Sequence, residues 1–546
     1  MLTSTKLIRL DRGRTSLVAE PDIGADLPAD LVSEWRTQLN RYSQYWNWMD
    51  GNVWDQVDRY FVAQRGKEPP LLFPLQLNPI FTGAILHRNA LFGEVPDSGR
   101  PMVRPIALPK HGEDRKITDA SRDTAKFVSE VLEQIWYHSH GRSNMLDAGF
   151  VSQALGGTVW KASYEPWNEL LTPGLPVAFR PIEPEFFLPV YTLRDRWSLR
   201  ECRIGRMIDS YEAKEIYSID VGSKDRVLYL EVWKRDTVKV TVNGEPAKIR
   251  KGNAEIELSG NHGYGFVPCL YIPHEVVGQF YGVPIVHQLG NLVKELNGRA
   301  ADIGDAVRNS IERIYVSTNC DAGDIRFKDL GGGIKVLVTG REMAGTQAKR
   351  IEHVAPPDLP RGTMEYLEWL EKTTHHSMFT PAVAYGEDEG SQRSALTLAF
   401  RMWPLTSHIR TERSLWTEGL RVLEDMALKI LLKKQTGEYG DLTEGTPWKL
   451  DESHIGHKII QEWAPMIPRD REAEVNELIL RHQDEQLTAR TAMEKLGDIQ
   501  DIDQELAGIK EEQDERAARE VKLAVDSAKD GPLVDRQEPI AKAETD

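Results

Sequence analysis

The chain has 546 residues, with 68 Lys or Arg against 84 Asp or Glu and a formal net charge of −16 at pH 7. That length exceeds a single hydrophobic core, so several domains or one elongated, multi-part subunit are expected. An apolar content of 40% and a charged content of 28% fit a folded soluble protein, and the acidic balance disfavours tight non-specific binding to duplex DNA.

No uninterrupted apolar run approaches the ~18 residues of a membrane span. The opening MLTSTKLIRLDRGR lacks the apolar core of a signal peptide. Cys202, Cys269 and Cys320 are odd in number and far apart, which suits a reducing compartment and builds no zinc pattern.

In chain order, residues 1–26 read as an extended arm. A helix is expected from Pro28 to Met49, with Leu31, Trp35, Leu39, Tyr42 and Trp46 at helical spacing. Aromatics bury large areas, so this stripe is expected in a core and not stacked on bases. Residues 67–118 are rich in Pro and Gly and read as irregular connections. Helices follow over 119–137 and 144–155, then Thr158–Tyr164 alternates as a strand. VAFRPIEPEFFLPVYTL reads as two short strands parted by prolines. LRECRIGRMIDS, VLYLEVWKRD, TVKVTVNGEPAKIR and AEIELSG continue the β region. Asn243-Gly244 signals a hairpin, because a type I′ turn needs positive φ at both positions.

From Gly282 to Glu312, Val286, Leu289, Val293, Leu296, Ala300, Ile303, Val307 and Ile311 mark one helix face, with Pro284 suited to its first turn. From Pro284 onward this predicts roughly 43 Å of rod. A strand-like insert follows (RIYVSTN, GGGIKVLV, AKRIEHVAPP), and a second helix resumes at Pro360 with Met364, Leu367 and Leu370 on one side. It breaks at TPAVAYGEDEGS, and a third helix runs from Gln392 toward Lys434. Pro404 inside that helix removes a backbone donor and predicts a kink near Met402. GEYGDLTEGTPWK is turn-rich; HKIIQEWAPMIPRDREAEVNELILRH reads as a strand, a proline stop and a helix. Residues 484–523 form further helices, and the polar tail from Asp526 reads as disordered.

Several clusters are candidates for chemistry. His454 and His457 have a metal-like spacing but no second ligand cluster nearby in sequence. His375 and His376 end the second helix, where imidazolium suits the dipole. Gly331–Gly333 lacks the Gly-Lys-Ser/Thr ending of a phosphate loop and reads as a tight turn. Glu387, Asp388 and Glu389 could bind Mg²⁺, although adjacent carboxylates on one loop do not make a two-metal site. A solvated loop is the plain alternative.

Long helix, small β insert, returning helix, Gly-rich acidic loop and kinked long helix is an order that resembles the portal proteins of tailed bacteriophages. Three local features resemble the SPP1-like group: the proline-flanked IEPEFFLPVY, the stretch from Asn261 to Ile272, and the glycine Gly282 leading the long helix. Pro284 departs from the serine of many relatives. The resemblance implies an α+β portal fold. Its parts would be an N-terminal arm (1–26), a wing (27–281), a stem helix (282–312) and a clip (313–358). A second stem helix (359–379), a tunnel loop (380–391) and the kinked helix (392–434) would follow. The chain would then return to the wing (435–470), form crown helices (471–525) and end in a tail (526–546).

The same resemblance implies a ring of about twelve subunits around a channel for double-stranded DNA. Expected partners are other copies of the chain, the terminase large subunit, the scaffold and major capsid proteins and a head–tail adaptor. The expected location is the virion's portal vertex, and the host cytoplasm during assembly. Ala384, Tyr385, Gly386, Glu387, Asp388, Glu389 and Gly390 would line the channel as the tunnel loop. Arg326, Lys328, Lys335, Arg341, Lys349 and Arg350 would lie in the clip that docks terminase and adaptor. No catalytic residue, cofactor, metal or membrane partner is implied. A metal-dependent nucleic-acid enzyme, or another ring-forming scaffold, is the alternative.

Overall fold

The structure is a computed structural model that describes residues 21–24, 27–51, 77–93, 102–111, 117–166, 175–192, 195–222, 225–251, 254–311, 314–318, 326–329, 335–338, 350–354, 361–386, 395–435, 439, 448–466, 471–484, 486–496 and 502–529. The chain divides into two units, residues 1–95 with 101–466, and residues 96–100 with 467–546.

The described residues of the first unit begin at Pro21, inside the stretch expected as an arm. Residues Pro21–Gly24 make a helical turn, α1, and Ile23 is buried against Gly205. Helix α2 (Ala29–Met49) buries Trp35, Leu39, Tyr42 and Trp46, so the aromatic stripe faces protein. Its Trp35 indole donates to the Phe187 carbonyl at 3.1 Å.

Two elements replace part of the irregular stretch expected over 67–118. Helix α3 (Pro79–Phe92) is capped by the Asn78 side chain, which accepts the Phe81 amide at 3.2 Å, and strand β1 spans Val103–Leu108. The sequence PIFTGAILHRNALF is apolar on nearly every side, so the helix carries little of the one-faced pattern by which helices are recognised. Helices α4 (Asp119–His138) and α5 (Gly141–Leu155) follow.

The β region holds β2 (Gly157–Tyr164), β3 (Val177–Ile182), β4 (Phe187–Val190) and β5 (Glu201–Asp209), then the short helix α6 (Ser210–Glu215). It continues with β6 (Arg226–Lys234), β7 (Thr237–Val242), β8 (Glu245–Pro246), β9 (Lys248–Lys251), β10 (Ala254–Glu257), β11 (Gly260–Asn261) and β12 (Cys269–Pro273). Every pairing is antiparallel. One sheet runs β11-β7-β6-β5-β4 with β8 on β7, a second runs β12-β2-β3, and β9 pairs with β10. Between β7 and β8, Asn243 and Gly244 take φ of 52° and 87°, as the turn signal predicts. Separate antiparallel sheets and helices make this an α+β chain.

The expected long helix begins later than Gly282. Pro284 is extended (φ −77°, ψ 160°), a single 3₁₀ turn covers Ile285–Gln288, and α7 spans Gly290–Ile311. At 1.5 Å per residue the rod is about 33 Å, not 43 Å. Gly282 serves a different need. Its backbone passes so close to the Gly156 carbonyl that any Cβ would strike it, and the Tyr271 hydroxyl bridges the two, donating to Gly156 O at 3.0 Å and accepting from Gly282 N at 3.2 Å.

The insert contains β13 (Ile314–Thr318) paired with β16 (Arg350–Val354), and β14 (Arg326–Asp329) paired with β15 (Lys335–Val338). Helix α8 (Arg361–Ser377) returns beside α7, the Tyr366 hydroxyl reaching Glu295 at 3.4 Å. The next helical stretch is two helices, α9 (Ala395–Arg401) and α10 (Trp403–Lys434), meeting at Met402. Pro404 stands in the first turn of α10, where its missing donor costs least.

The main core packs α4, α5, α10, β2, β3 and β12 around Trp136, Trp160, Phe179 and Trp416. Strand β17 (Lys458–Trp463) returns to pair with β1, Ile460 opposite Ile106. In the second unit, α11 (Arg471–Gln483), α12 (Ala489–Leu496) and α13 (Ile502–Lys529) are helical. Charge pairs one turn apart, such as Glu515 with Arg519 at 3.1 Å, support the exposed α13. This helix runs past Asp526, where the tail was expected to begin.

Candidate functional site at the helix joint

The segment linking α8 to α9 folds back on α8 by local bonds. Phe379 takes a left-handed φ of 57°, and the Thr380 amide donates to His375 O at 3.1 Å. Residues Ala382–Tyr385 form a 3₁₀ turn closed by Gly386 at φ 82°. The Tyr385 hydroxyl donates to Thr380 Oγ1 at 3.3 Å, and its ring meets the His375 ring edge-on at 4.8 Å.

Beneath this turn lies a buried polar cluster. Glu412 of α10 accepts both of its bonds from Gln153 Nε2, at 2.8 and 2.9 Å, and His274 Nδ1 stands 3.1 Å away, off the line of a hydrogen bond. One turn earlier on α10, His408 lies 5.5 Å from the His274 ring and 5.4 Å from the His87 ring, and stacks on Phe379 at 4.7 Å. His87 of α3 donates from Nε2 to Met378 O at 2.6 Å, which fixes the proton on that nitrogen. α3, α5 and α10 thus converge on a few groups, together with the residue after β12 and the segment that follows α8.

The electrostatics follow from burial. Loss of water and the neighbouring imidazoles pull His87 down to about 3, against the Met378 carbonyl and Glu412, which favour its charged form. His408 is lowered by burial and then by His274. Burial works to raise Glu412, but His274 and the Gln153 amide outweigh it and hold the carboxyl below its usual range. The cluster is therefore a carboxylate among imidazoles, two of which, His87 and His408, resist protonation. Among the described residues, no group of three His, Cys, Asp or Glu side chains is placed to hold a metal ion. What the arrangement does is fix the joint, through the His87 hydrogen bond to Met378 O and the stack of His408 on Phe379.

Two more groups brace α10. Arg413 Nε donates to Leu91 O at 2.8 Å and Nη2 to Ala90 O at 3.2 Å, satisfying the last carbonyls of α3. Burial lowers this guanidinium to about 10. Glu424 accepts from Trp136 Nε1 at 3.0 Å and Gln461 Nε2 at 2.6 Å, and burial pushes it up to about 8 despite those bonds.

Ala384, Tyr385 and Gly386 of the expected channel loop lie in the 3₁₀ turn and its cap. Glu387, Asp388, Glu389 and Gly390 fall outside the described residues. Arg326 and Lys328 lie on β14, register partners of Val338 and Val336, and Lys335 lies on β15 opposite Asp329. Arg350 pairs with Thr318, while Arg341, Lys349 and Gly331–Gly333 fall outside the described residues. The structure does not merge His454 and His457 into one site. His454 Nδ1 lies 2.8 Å from Asp451, whereas the His457 ring nitrogens face Leu108 O at 2.9 Å and Ser453 O at 3.2 Å. His87, Gln153, His274 and Glu412 escaped the sequence reading, because nothing local links positions so far apart. His408 escaped it as well, although it stands one turn from Glu412 on the same helix, a spacing that local sequence does carry.

Residues 204–519, from within β5 to within α13 and more than half of the chain, match the phage portal protein family, SPP1 Gp6-like. The chain belongs to this portal family. Among curated proteins, no sequence matches it. In this portal protein the matched span includes the joint segment, His274, His408 and Glu412, while α2 to α5, with His87 and Gln153, precede it. Membership gives the chain a phage portal role, as an oligomeric component of the capsid. Among the described residues no helix is long and apolar enough to cross a membrane.

Proposed function

We propose that the chain assembles as a ring of about twelve copies at one capsid vertex and encloses the channel through which double-stranded DNA is packaged and ejected. In this reading α7 and α8 are the stem, β13–β16 the clip and α11–α13 the crown. The segment from Thr380, with Ala384 to Gly390, is the tunnel loop. The clip, with Arg326, Lys328, Lys335, Arg341, Lys349 and Arg350, docks the terminase large subunit and later the head–tail adaptor. Scaffold and major capsid proteins meet the ring during assembly in the host cytoplasm. The role is passive, and ATP hydrolysis belongs to the motor.

Beside the family match, one observation supports the ring. Trp369 on α8, Phe400 on α9 and Trp403 on α10 are 55%, 70% and 54% exposed. Met364 and Tyr366 on α8 are exposed as well. Large apolar side chains grouped on successive helices mark an interface, and head-to-tail contacts around a closed ring bury such faces on every copy. The test is the particle mass by mass photometry, with negative-stain images of the same sample. A ring of about twelve subunits with a central hole is expected. A monodisperse monomer or dimer at every salt concentration overturns the reading.

A further inference from the structure

Two of the three cysteines meet across the sheets of the β region. Cys202 lies on β5, opposite Trp233 of β6, while Cys269 lies on β12, opposite Lys161 of β2. Paired residues point to the same face of a sheet, and here each face is identified. Lys161 Nζ reaches Glu231 of β6 at 2.9 Å, and the Trp233 indole donates to the same carboxylate at 2.6 Å. The face carrying Cys269 therefore lies against the face carrying Cys202. Both side chains are fully buried in one cluster with Val159, Ile204 and Tyr271, and both are free thiols.

We propose that Cys202 and Cys269 form a disulfide modification site, a reversible bolt between the β4-β5-β6 and β12-β2-β3 sheets, closed by low-molecular-weight disulfides. One thiolate attacks the small disulfide and releases one molecule of reduced thiol. The second thiolate then displaces the remaining half, which leaves as another reduced thiol, and the Cys202–Cys269 bond forms. The two protons of the protein thiols end on the two released thiols. In the closed sheet pair this exchange is slow. Burial first, and contact with Cys269 second, push the Cys202 thiol well above its ordinary value, so it stays protonated. Closure belongs to moments when the sheets part, during folding or local opening. The inference goes beyond the portal reading and stands whether or not rings form.

The test uses the full-length chain, refolded with excess oxidised glutathione and then digested without reductant. A linked Cys202–Cys269 peptide is expected, with intact mass lower by two hydrogens and the thiol titre falling from three to one. The linked form should melt about 5 °C higher than the reduced form, and dithiothreitol should reverse both changes. Cys320→Ser should keep the link and the shift, and Cys202→Ala or Cys269→Ala should lose both. Glutathione adducts alone, or a linked peptide that always contains Cys320, would overturn the proposal.

Discussion

Glu412 and Glu424 sit three turns apart on one helix, are equally buried, and are driven in opposite directions. Glu412 has an imidazole facing it and is held low, whereas Glu424 has only neutral donors and is pushed up to about 8. The signs for stability follow. His87 and Glu412 are both lowered on folding, so the unfolded chain binds more protons and stability drains as pH falls. For His87 the loss begins near its unfolded value of about 6.5 and amounts to about 1.4 kcal/mol per pH unit until its folded value of about 3. Urea midpoints at pH 7.5 and 5 should show this loss. His87→Gln, which keeps a donor toward Met378 O without titrating, should flatten the slope. Glu424 acts in reverse, contributing at low pH and losing its contribution as pH rises from about 4.3 through about 8. Glu424→Gln should therefore add about 1–3 kcal/mol at pH 8 and almost nothing at pH 4, measured by the same titrations.

At the scale of elements, the helices α2, α4 and α5 and most strands were legible, because a one-faced stripe or an alternation is a local property. Helix α3 was not, since an almost wholly apolar helix has lost the contrast that periodicity needs. The start of α7 was misplaced for a subtler reason. Val286 and Leu289 are three apart, a spacing that a 3₁₀ turn and an α-helix both place on one side, so the pattern runs unbroken through their junction. Gly282 stood out only as the glycine leading the long helix, and the sequence supplied no cause for it. It is small because Gly156 lies against it, a contact between residues 126 apart in sequence that no local signal carries. Gly282→Ala should cost about 3 kcal/mol in denaturant unfolding, because the obstructing atom is backbone and cannot swing aside. Gly278→Ala, with open space around its Cβ position but a left-handed φ of 80°, should cost about 1 kcal/mol.

For the molecule as a whole, family and class were readable from the order of elements, while the joint was not. Order survives in sequence; convergence of His87, Gln153, His274, His408 and Glu412 is a product of folding. The ring reading makes one demand that separates channel from scaffold. Deleting Tyr385–Glu389 should leave particle mass unchanged while packaged DNA falls at least tenfold, read by nuclease-protected genome per capsid. The Tyr385 hydroxyl and ring meet Thr380 and His375, which lie outside the Glu412 cluster, so the deletion leaves the bonds of that cluster in place. Loss of particles on deletion would instead make the loop part of the assembly core.

The clamp of Arg413 on the end of α3 has a consequence for how such a chain drifts. The guanidinium grips the carbonyls of Ala90 and Leu91, which every amino acid presents alike. One partner of the contact is thus indifferent to spelling as far as the hold is concerned, and what limits the letter at 91 is the core that buries its side chain. The other partner is spelled by a single codon, at position 413, and there the tolerance ends.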